Sequence, residues 1–432
     1  MENALSEKKF LERNSPLTDL FKITHIRTIY NLFMVTFILF FLHTAVNDIM
    51  ESGTLLLGTV TIRKSFANLP TCLYIWSLMQ MSTLSVYVGF NFWSYSRLQC
   101  SQKSFITRKL WDYGWLTTFI MYQVMFVIFP HRANEGNLGI ACNTLIFMEQ
   151  LRLLMKTHAF VRSAASRFLS YKPHSDIPPP SAPRFSQYLY FLFAPTLIYR
   201  DEYPRTKKIR WKFVIRNFAE VGLVIFYYAF ILERFIAPVF RIFGTQSLEP
   251  MWYVKIIIDT SISGILILVC TNYLLLHAWM NAWAEMLRFA DRLFYKDWWN
   301  STSYRMYYRT WNVVVQDWLY TYIYKDMYEI VVPRNKSLAT FTVFFMSVIC
   351  HEYLFTFMFG FFYPVMLIMF GGAGSIMFFC NINNISMWMS FCIGQSIIIS
   401  LYAIEYYARS NCSPYSDYYA NFFIPRSWNC QR

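Results

Sequence analysis

YLFTFMFGFFYPVMLIMFGGAGSIMFFCNINNISMWMSFCIGQSIIISLYAI, residues 353–404, holds no charged side chain in 52 consecutive positions. A helix needs about 20 mostly apolar residues to cross the hydrocarbon core of a bilayer, so the stretch is too long for one crossing. Pro364, the glycines Gly371, Gly372 and Gly374, and the NINN run at 381–384 are expected to break it. Its first residues complete a span that starts at Ser337 and contains His351 and Glu352. An eighth span then ends near Cys380 and a ninth starts near Ile385.

The same pattern recurs towards the N-terminus. Thr28–Asn47, Ser65–Ser96 and Tyr113–Pro130 are uncharged runs of spanning length. Gly136–His158 is a weaker span, interrupted by Glu149 and Arg152, which are spaced to pair on one helical face. Phe213–Phe240 carries Arg216 and Glu220 near one end, and Thr260–Ala284 is uncharged. The sequence therefore predicts an all-α polytopic membrane protein with about nine transmembrane helices. Composition agrees: 56% of residues are apolar, 20% aromatic and 15% charged, where soluble domains carry about 25% charged residues. A soluble, disordered or fibrous chain is excluded on that ground.

A net charge of +14 invites a nucleic-acid reading. It fails, because the basic residues alternate with long uncharged runs and form no single basic face. They concentrate before span one, between spans two and three (Arg97, Lys103, Arg108, Lys109), between four and five, and between six and seven. The positive-inside rule then predicts a cytosolic N-terminus and, with nine spans, a lumenal C-terminus. The polar start of the chain, charged up to Lys22, is not that of a cleavable signal peptide. The nine cysteines show no metal-ligand spacing, so no metal site is expected.

Two cytosolic segments exceed plain loops. Residues 159–212 include IPPPSAP (177–183), an extended linker. Residues 285–336 mix charge with Trp and Tyr, as helices lying in the membrane interface do. Within this second segment lies FYKDWWN, 294–300, whose Lys296, Asp297 and Asn300 an aromatic belt alone does not explain. RTWN (309–312) and QDW (316–318) follow. Of the histidines, His351 sits deep in a span, where an ionisable side chain is costly and points to function. His277, one turn from Asn281, is expected to serve packing. His25, His131, His158 and His174 lie near loops and are expected to be solvated.

FYKDWWN resembles the signature of the sterol and diacylglycerol branch of the membrane-bound O-acyltransferases. FYKDWWNSTSY, YYRTWNVVV, DWLY and HEY (351–353) together resemble the sterol O-acyltransferases. HIRTIY (25–30), YLYFLFAPTLIYRDEYPR (188–205), NAWAEMLRFADR (281–292) and PRSWNC (425–430) support the same branch. The resemblance implies the membrane-bound O-acyltransferase fold over 25–410, between a cytosolic segment 1–24 and a lumenal tail 411–432. It implies His351 as the catalytic histidine and Asn312 as its partner. Phe294, Tyr295, Asp297, Trp298, Trp299 and Asn300 then form the signature near the acyl-CoA entrance. Arg309, Gln316, Tyr324, Lys336 and Ser347 fall where such enzymes meet coenzyme A or shape the reaction site. Gln316 and Met306 depart from the His and Asn usual in the animal enzymes.

The implied reaction esterifies the 3β-hydroxyl of cholesterol or a related sterol with a long-chain acyl group from acyl-CoA. Acyl-CoA is a substrate and no cofactor is expected. The alcohol needs a general base, and a neutral imidazole suits that task. Burial in its helix is expected to keep His351 neutral, and an amide such as Asn312 can stabilise the oxyanion. The implied partners are long-chain acyl-CoA, sterol, membrane lipid and a second copy of the chain, as a homodimer or higher homo-oligomer. Cys412 and Cys430, the only cysteines of the tail, are expected to form a disulfide in the oxidising lumen of the endoplasmic reticulum, and the family's matching C-terminal pair supports this. Acyl-CoA:diacylglycerol acyltransfer, a transporter or channel, and a non-enzymatic sterol-binding protein remain open alternatives.

Overall fold

A computed structural model describes residues 5–54, 57–99, 105–133, 138–171, 178–245 and 249–430. Cys100, Lys103, Gly136, His174 and Ile177 lie outside them. Among the described residues the chain is helical, with three isolated β-bridges and no strand. Six helices among the described residues are long and apolar enough to cross a membrane: Thr24–Glu51, Phe105–Ala133, Trp211–Phe240, Ser261–Met286, Lys336–Phe359 and Asn384–Asn411. Three more coincide with expected spans: the long Leu69–Gln99 and Ile140–Leu169, and the short apolar Leu367–Met377. The chain divides into two compact units.

The first unit comprises residues 1–10, 66–204 and 314–343. In Leu69–Gln99 the buried residues Cys72, Ile75, Met79, Thr83, Val86, Phe90 and Trp93 recur every three or four positions, one stripe of a helix. Ile140–Leu169 has a matching stripe through Cys142, Ile146, Gln150, Leu153 and Phe160. Arg152 grips Glu149 at 2.6 Å through both Nε and Nη2, as the spacing predicts. Gln80 and Trp76 also donate to that carboxylate, so the polar residues that weaken this segment as a span are partnered within the unit. The helix runs past His158 to Leu169, which corrects the solvated reading of this histidine. His158 lies edge-on to Trp318 and Tyr322, at ring distances of 5.7 and 6.0 Å. His131 is likewise half-buried, stacked 4.8 Å from Phe147. His25 is exposed.

The second unit comprises residues 11–65, 205–313 and 344–432. Ser261–Met286 and Asn384–Asn411 approach closely through small and hydroxylated residues, the usual adhesive between helices in lipid. Thr260 Oγ1 lies 2.6 Å from Ser396 Oγ, and a Cβ on Gly264 would lie 3.2 Å from the Ser396 nitrogen. The expected Arg216–Glu220 pair forms at 2.8 Å, and Glu220 also accepts from the Tyr273 hydroxyl. Two further charges in the fifth span sit at a π-helical turn, Leu232–Ile236. Arg234 donates to buried Asp48 at 2.6 Å, and Glu233 accepts from the Thr61 amide and hydroxyl. Cys412 and Cys430 form a disulfide, with their Cα atoms 5.8 Å apart.

The uncharged run of 353–404 is broken at two places. The first break is at Gly360–Pro364, where Gly360 has φ +77°. The second is the stretch before Asn384, where the Asn383 side chain caps the last long helix by accepting from the Ser386 amide. Gly371, Gly372 and Gly374 do not break it, contrary to expectation. They lie inside Leu367–Met377, which opens as a π-helical turn and continues as α-helix. Gly371 and Gly374 serve packing instead, whereas a Cβ at Gly372 would meet nothing within 4 Å. A Cβ at Gly371 would lie 3.1 Å from Val348 Cγ1, and one at Gly374 would lie 3.0 Å from the Tyr308 hydroxyl.

Candidate active site

His351 lies on the helix Lys336–Phe359, in the part belonging to the second unit. Its Nδ1 is 2.7 Å from the backbone carbonyl of Ser347, one turn earlier. A carbonyl only accepts, so Nδ1 carries the proton, and in the neutral ring Nε2 keeps its lone pair. By surface area His351 is exposed on its helix, whereas Glu352 is 9% exposed. Adjacent helical side chains point about 100° apart, so one faces inward and the other does not. Glu352 accepts from the Leu367 amide at 2.8 Å, tying the helix of His351 to the start of Leu367–Met377. That helix returns Phe370 to the imidazole, edge-on at a ring distance of 5.1 Å. Phe370 also packs on Tyr308 and Phe344, at 5.4 and 5.1 Å.

Asn312 is half-buried in the turn between the helices Tyr304–Thr310 and Val313–Trp318. The signature segment holds this turn by its backbone. The Lys296 amide donates to the Thr310 carbonyl at 2.8 Å, and the Val313 amide donates to the Phe294 carbonyl at 2.9 Å. These two bonds bracket Asn312.

The signature itself divides by chemistry. Phe294, Tyr295 and Trp298 are buried, Trp299 is half-buried, and Lys296, Asp297 and Asn300 are exposed. Trp298 meets Trp311 at 4.7 Å and donates from its indole nitrogen to Asn272. Asn384 and Trp388 donate to the Trp299 carbonyl at 2.9 and 3.3 Å, so the NINN run docks onto the signature.

Tyr295 points into a polar cluster with His277. Its hydroxyl is 2.8 Å from His277 Nδ1, and Asn281 donates to the His277 carbonyl at 2.8 Å. His277 thus has a defined hydrogen-bond role beyond packing. Burial pushes the Tyr295 phenol up, so it stays a neutral hydroxyl. Nearby, Glu285 is fully buried and bridges Arg210 at 2.8 Å and Arg292 at 2.6 Å. Burial pulls the Arg292 guanidinium down, and Glu285 opposes that shift.

Of the other expected contacts, Arg309 is exposed at the end of Tyr304–Thr310, and Ser347 is half-buried on the helix of His351. Gln316, Tyr324 and Lys336 belong to the first unit. Gln316 is half-buried, Tyr324 stacks between Tyr320 and Tyr328 at 5.6 and 6.0 Å, and Lys336 is exposed. Local sequence does not reveal Phe370 beside His351, Gly371 against Val348, or Ser15 beside His277 and Asn281, because their partners are distant in the chain.

The profile of the membrane-bound O-acyltransferase family matches residues 62–404. Sterol O-acyltransferase 1 of Chlorocebus aethiops is 41% identical over 435 residues, which cover 98% of this chain and 78% of the relative. Sterol O-acyltransferase 1 of Cricetulus griseus is 39% identical over 432 residues, with the same coverage. Sterol O-acyltransferase 2 of Homo sapiens is 39% identical over 433 residues, covering 98% of this chain and 80% of the relative. The chain belongs to the membrane-bound O-acyltransferase family and, within it, to the sterol O-acyltransferases. It is a polytopic membrane acyltransferase, which decides against the transporter and the non-enzymatic sterol-binding readings.

Proposed function

We propose that this protein transfers a long-chain fatty acyl group from acyl-CoA to the 3β-hydroxyl of cholesterol or a related sterol, releasing coenzyme A. The observation that carries the mechanism is the His351 Nδ1 bond to the Ser347 carbonyl, which leaves Nε2 as the acceptor for the sterol proton. The sterol oxygen attacks the thioester carbonyl as Nε2 takes its proton. The Asn312 amide stabilises the developing oxyanion. The thiolate leaves and takes up the proton, so no acyl-enzyme forms. Arg309 receives a phosphate of coenzyme A on the cytosolic side and Ser347 lines the approach; for Lys336, Gln316 and Tyr324 the family resemblance is the support for a role towards coenzyme A. The signature residues Phe294, Tyr295, Asp297, Trp298, Trp299 and Asn300 frame the entrance.

The protein crosses the endoplasmic reticulum membrane nine times, with a cytosolic N-terminus and a lumenal tail. Leu69–Gln99 and Ile140–Leu169, added to the six apolar helices, support eight of these crossings; the short apolar Leu367–Met377 lies where the remaining one is expected. It acts as a homodimer or higher homo-oligomer. The test is to purify the chain, supply oleoyl-CoA with cholesterol or with diacylglycerol, and identify the lipid product by mass spectrometry. Steryl ester is expected. Faster formation of triacylglycerol would overturn the proposal.

A further inference from the structure

The segment ahead of the first apolar helix is built into the second unit. The Arg13 amide donates to the Ala290 carbonyl at 3.0 Å, and the Arg292 amide donates back to the Arg13 carbonyl at 3.1 Å. The Arg13 guanidinium holds buried Asp291 by two bonds, at 2.6 and 3.1 Å. Two residues on, Ser15 is fully buried. Its hydroxyl accepts from Asn281 at 3.0 Å and lies 3.4 Å from His277 Nδ1. The Leu17 amide points at the Tyr295 hydroxyl, 3.4 Å away. A polar group is buried at a cost unless it is partnered; besides its neighbour Thr18, 2.9 Å from its hydroxyl, Ser15 meets His277 and Asn281 of the helix Ser261–Met286, and Leu17 meets Tyr295 of the signature.

Tyr295 lies between Phe294 and Lys296, the two residues whose backbones bracket Asn312 through Val313 and Thr310. We infer that Leu11–Leu17 is a positioning element of the Asn312 turn and that Ser15 is a positioning residue acting through Tyr295. For its kinetic consequence the inference rests on the acyl transfer proposed above. The segment touches neither substrate in that chemistry. It holds the signature loop from behind, so that the amide of Asn312 keeps one orientation.

The experiment uses the full chain purified in detergent, with hydrogen exchange of the Lys296 and Val313 amides read alongside turnover. Ser15→Ala and, separately, Tyr295→Phe should speed exchange of both amides while the rest of the chain keeps its protection. Each should lower kcat about tenfold, the loss that a shift of about half an ångström brings, and Ser15→Ala should leave the KM for acyl-CoA unchanged. The double variant should lose no more than either single one, because both changes cut the same link. Arg13→Lys should retain more turnover than Arg13→Ala. Unchanged exchange in Ser15→Ala, or losses that multiply in the double variant, would overturn the inference. Because exchange is read without substrate, a wild-type chain that esterified no sterol would refute the proposed function and leave this test intact.

Discussion

Gly371→Ala is expected to impair turnover by separating two helices, and Val348→Ala is expected to repair it. The alanine Cβ would lie 3.1 Å from Val348 Cγ1, and Val348 is 1% exposed with no room to retreat. Carbon atoms settle at about 3.5–4.0 Å, so the helices must part by about half an ångström. Overpacking of this kind costs about 1–3 kcal/mol. The better helix propensity of alanine returns about 1 kcal/mol, which leaves a net loss of about 0–2 kcal/mol. Activity should suffer more than stability. Phe370 packs on the His351 ring from the same turn that carries Gly371. If a misplacement of about 1 Å costs about 100-fold, half of that costs about tenfold in kcat. Val348→Ala alone removes two methyl groups, at about 1–2 kcal/mol. Combined with Gly371→Ala it relieves the contact, so the double variant should be more active than Gly371→Ala. Steryl ester synthesis at saturating acyl-CoA, with thermal unfolding in detergent, measures both quantities. A Gly371→Ala protein with wild-type kcat, or a double variant no better than the single one, would refute the reasoning.

Three further outcomes are expected. His351→Ala should lose about 100- to 10,000-fold in esterification, the worth of a general base, at near-normal detergent stability; substantial turnover by folded protein would remove the histidine from that role. Asn312→Ala should lose most of kcat through the oxyanion, whereas a change confined to the KM for acyl-CoA would make it a binding residue. Cys412→Ser should lower stability by about 3 kcal/mol, the chain-entropy value for a loop of this size, and in intact microsomes neither cysteine of the wild type should react with an alkylating reagent before reduction. Free reaction there, or labelling from the cytosolic side, would contradict the lumenal tail.

What the sequence alone determined are the properties that depend on neighbours in the chain. The apolar runs specify membrane helices because lipid demands internal satisfaction of the backbone. The Glu149–Arg152 and Arg216–Glu220 pairs were legible because three and four residues make one turn. His351 was visible as an ionisable group in an apolar run, and FYKDWWN as polar residues among aromatics. Tertiary structure decided most of the rest, because those contacts join residues far apart in the chain. Gly371 looked like a helix breaker until Val348 was seen against it, since a glycine's use depends on what approaches it. The arginine and glutamate in the fifth span find Asp48 and Thr61 only in the folded unit. The tautomer of His351 depends on a carbonyl one turn away, yet its exposure depends on how its helix is turned among the others. The contacts that run from Ser15 to His277, from His277 to Tyr295 and from Phe294 and Lys296 to the Asn312 turn join distant parts of the chain, and no periodicity in the sequence encodes them.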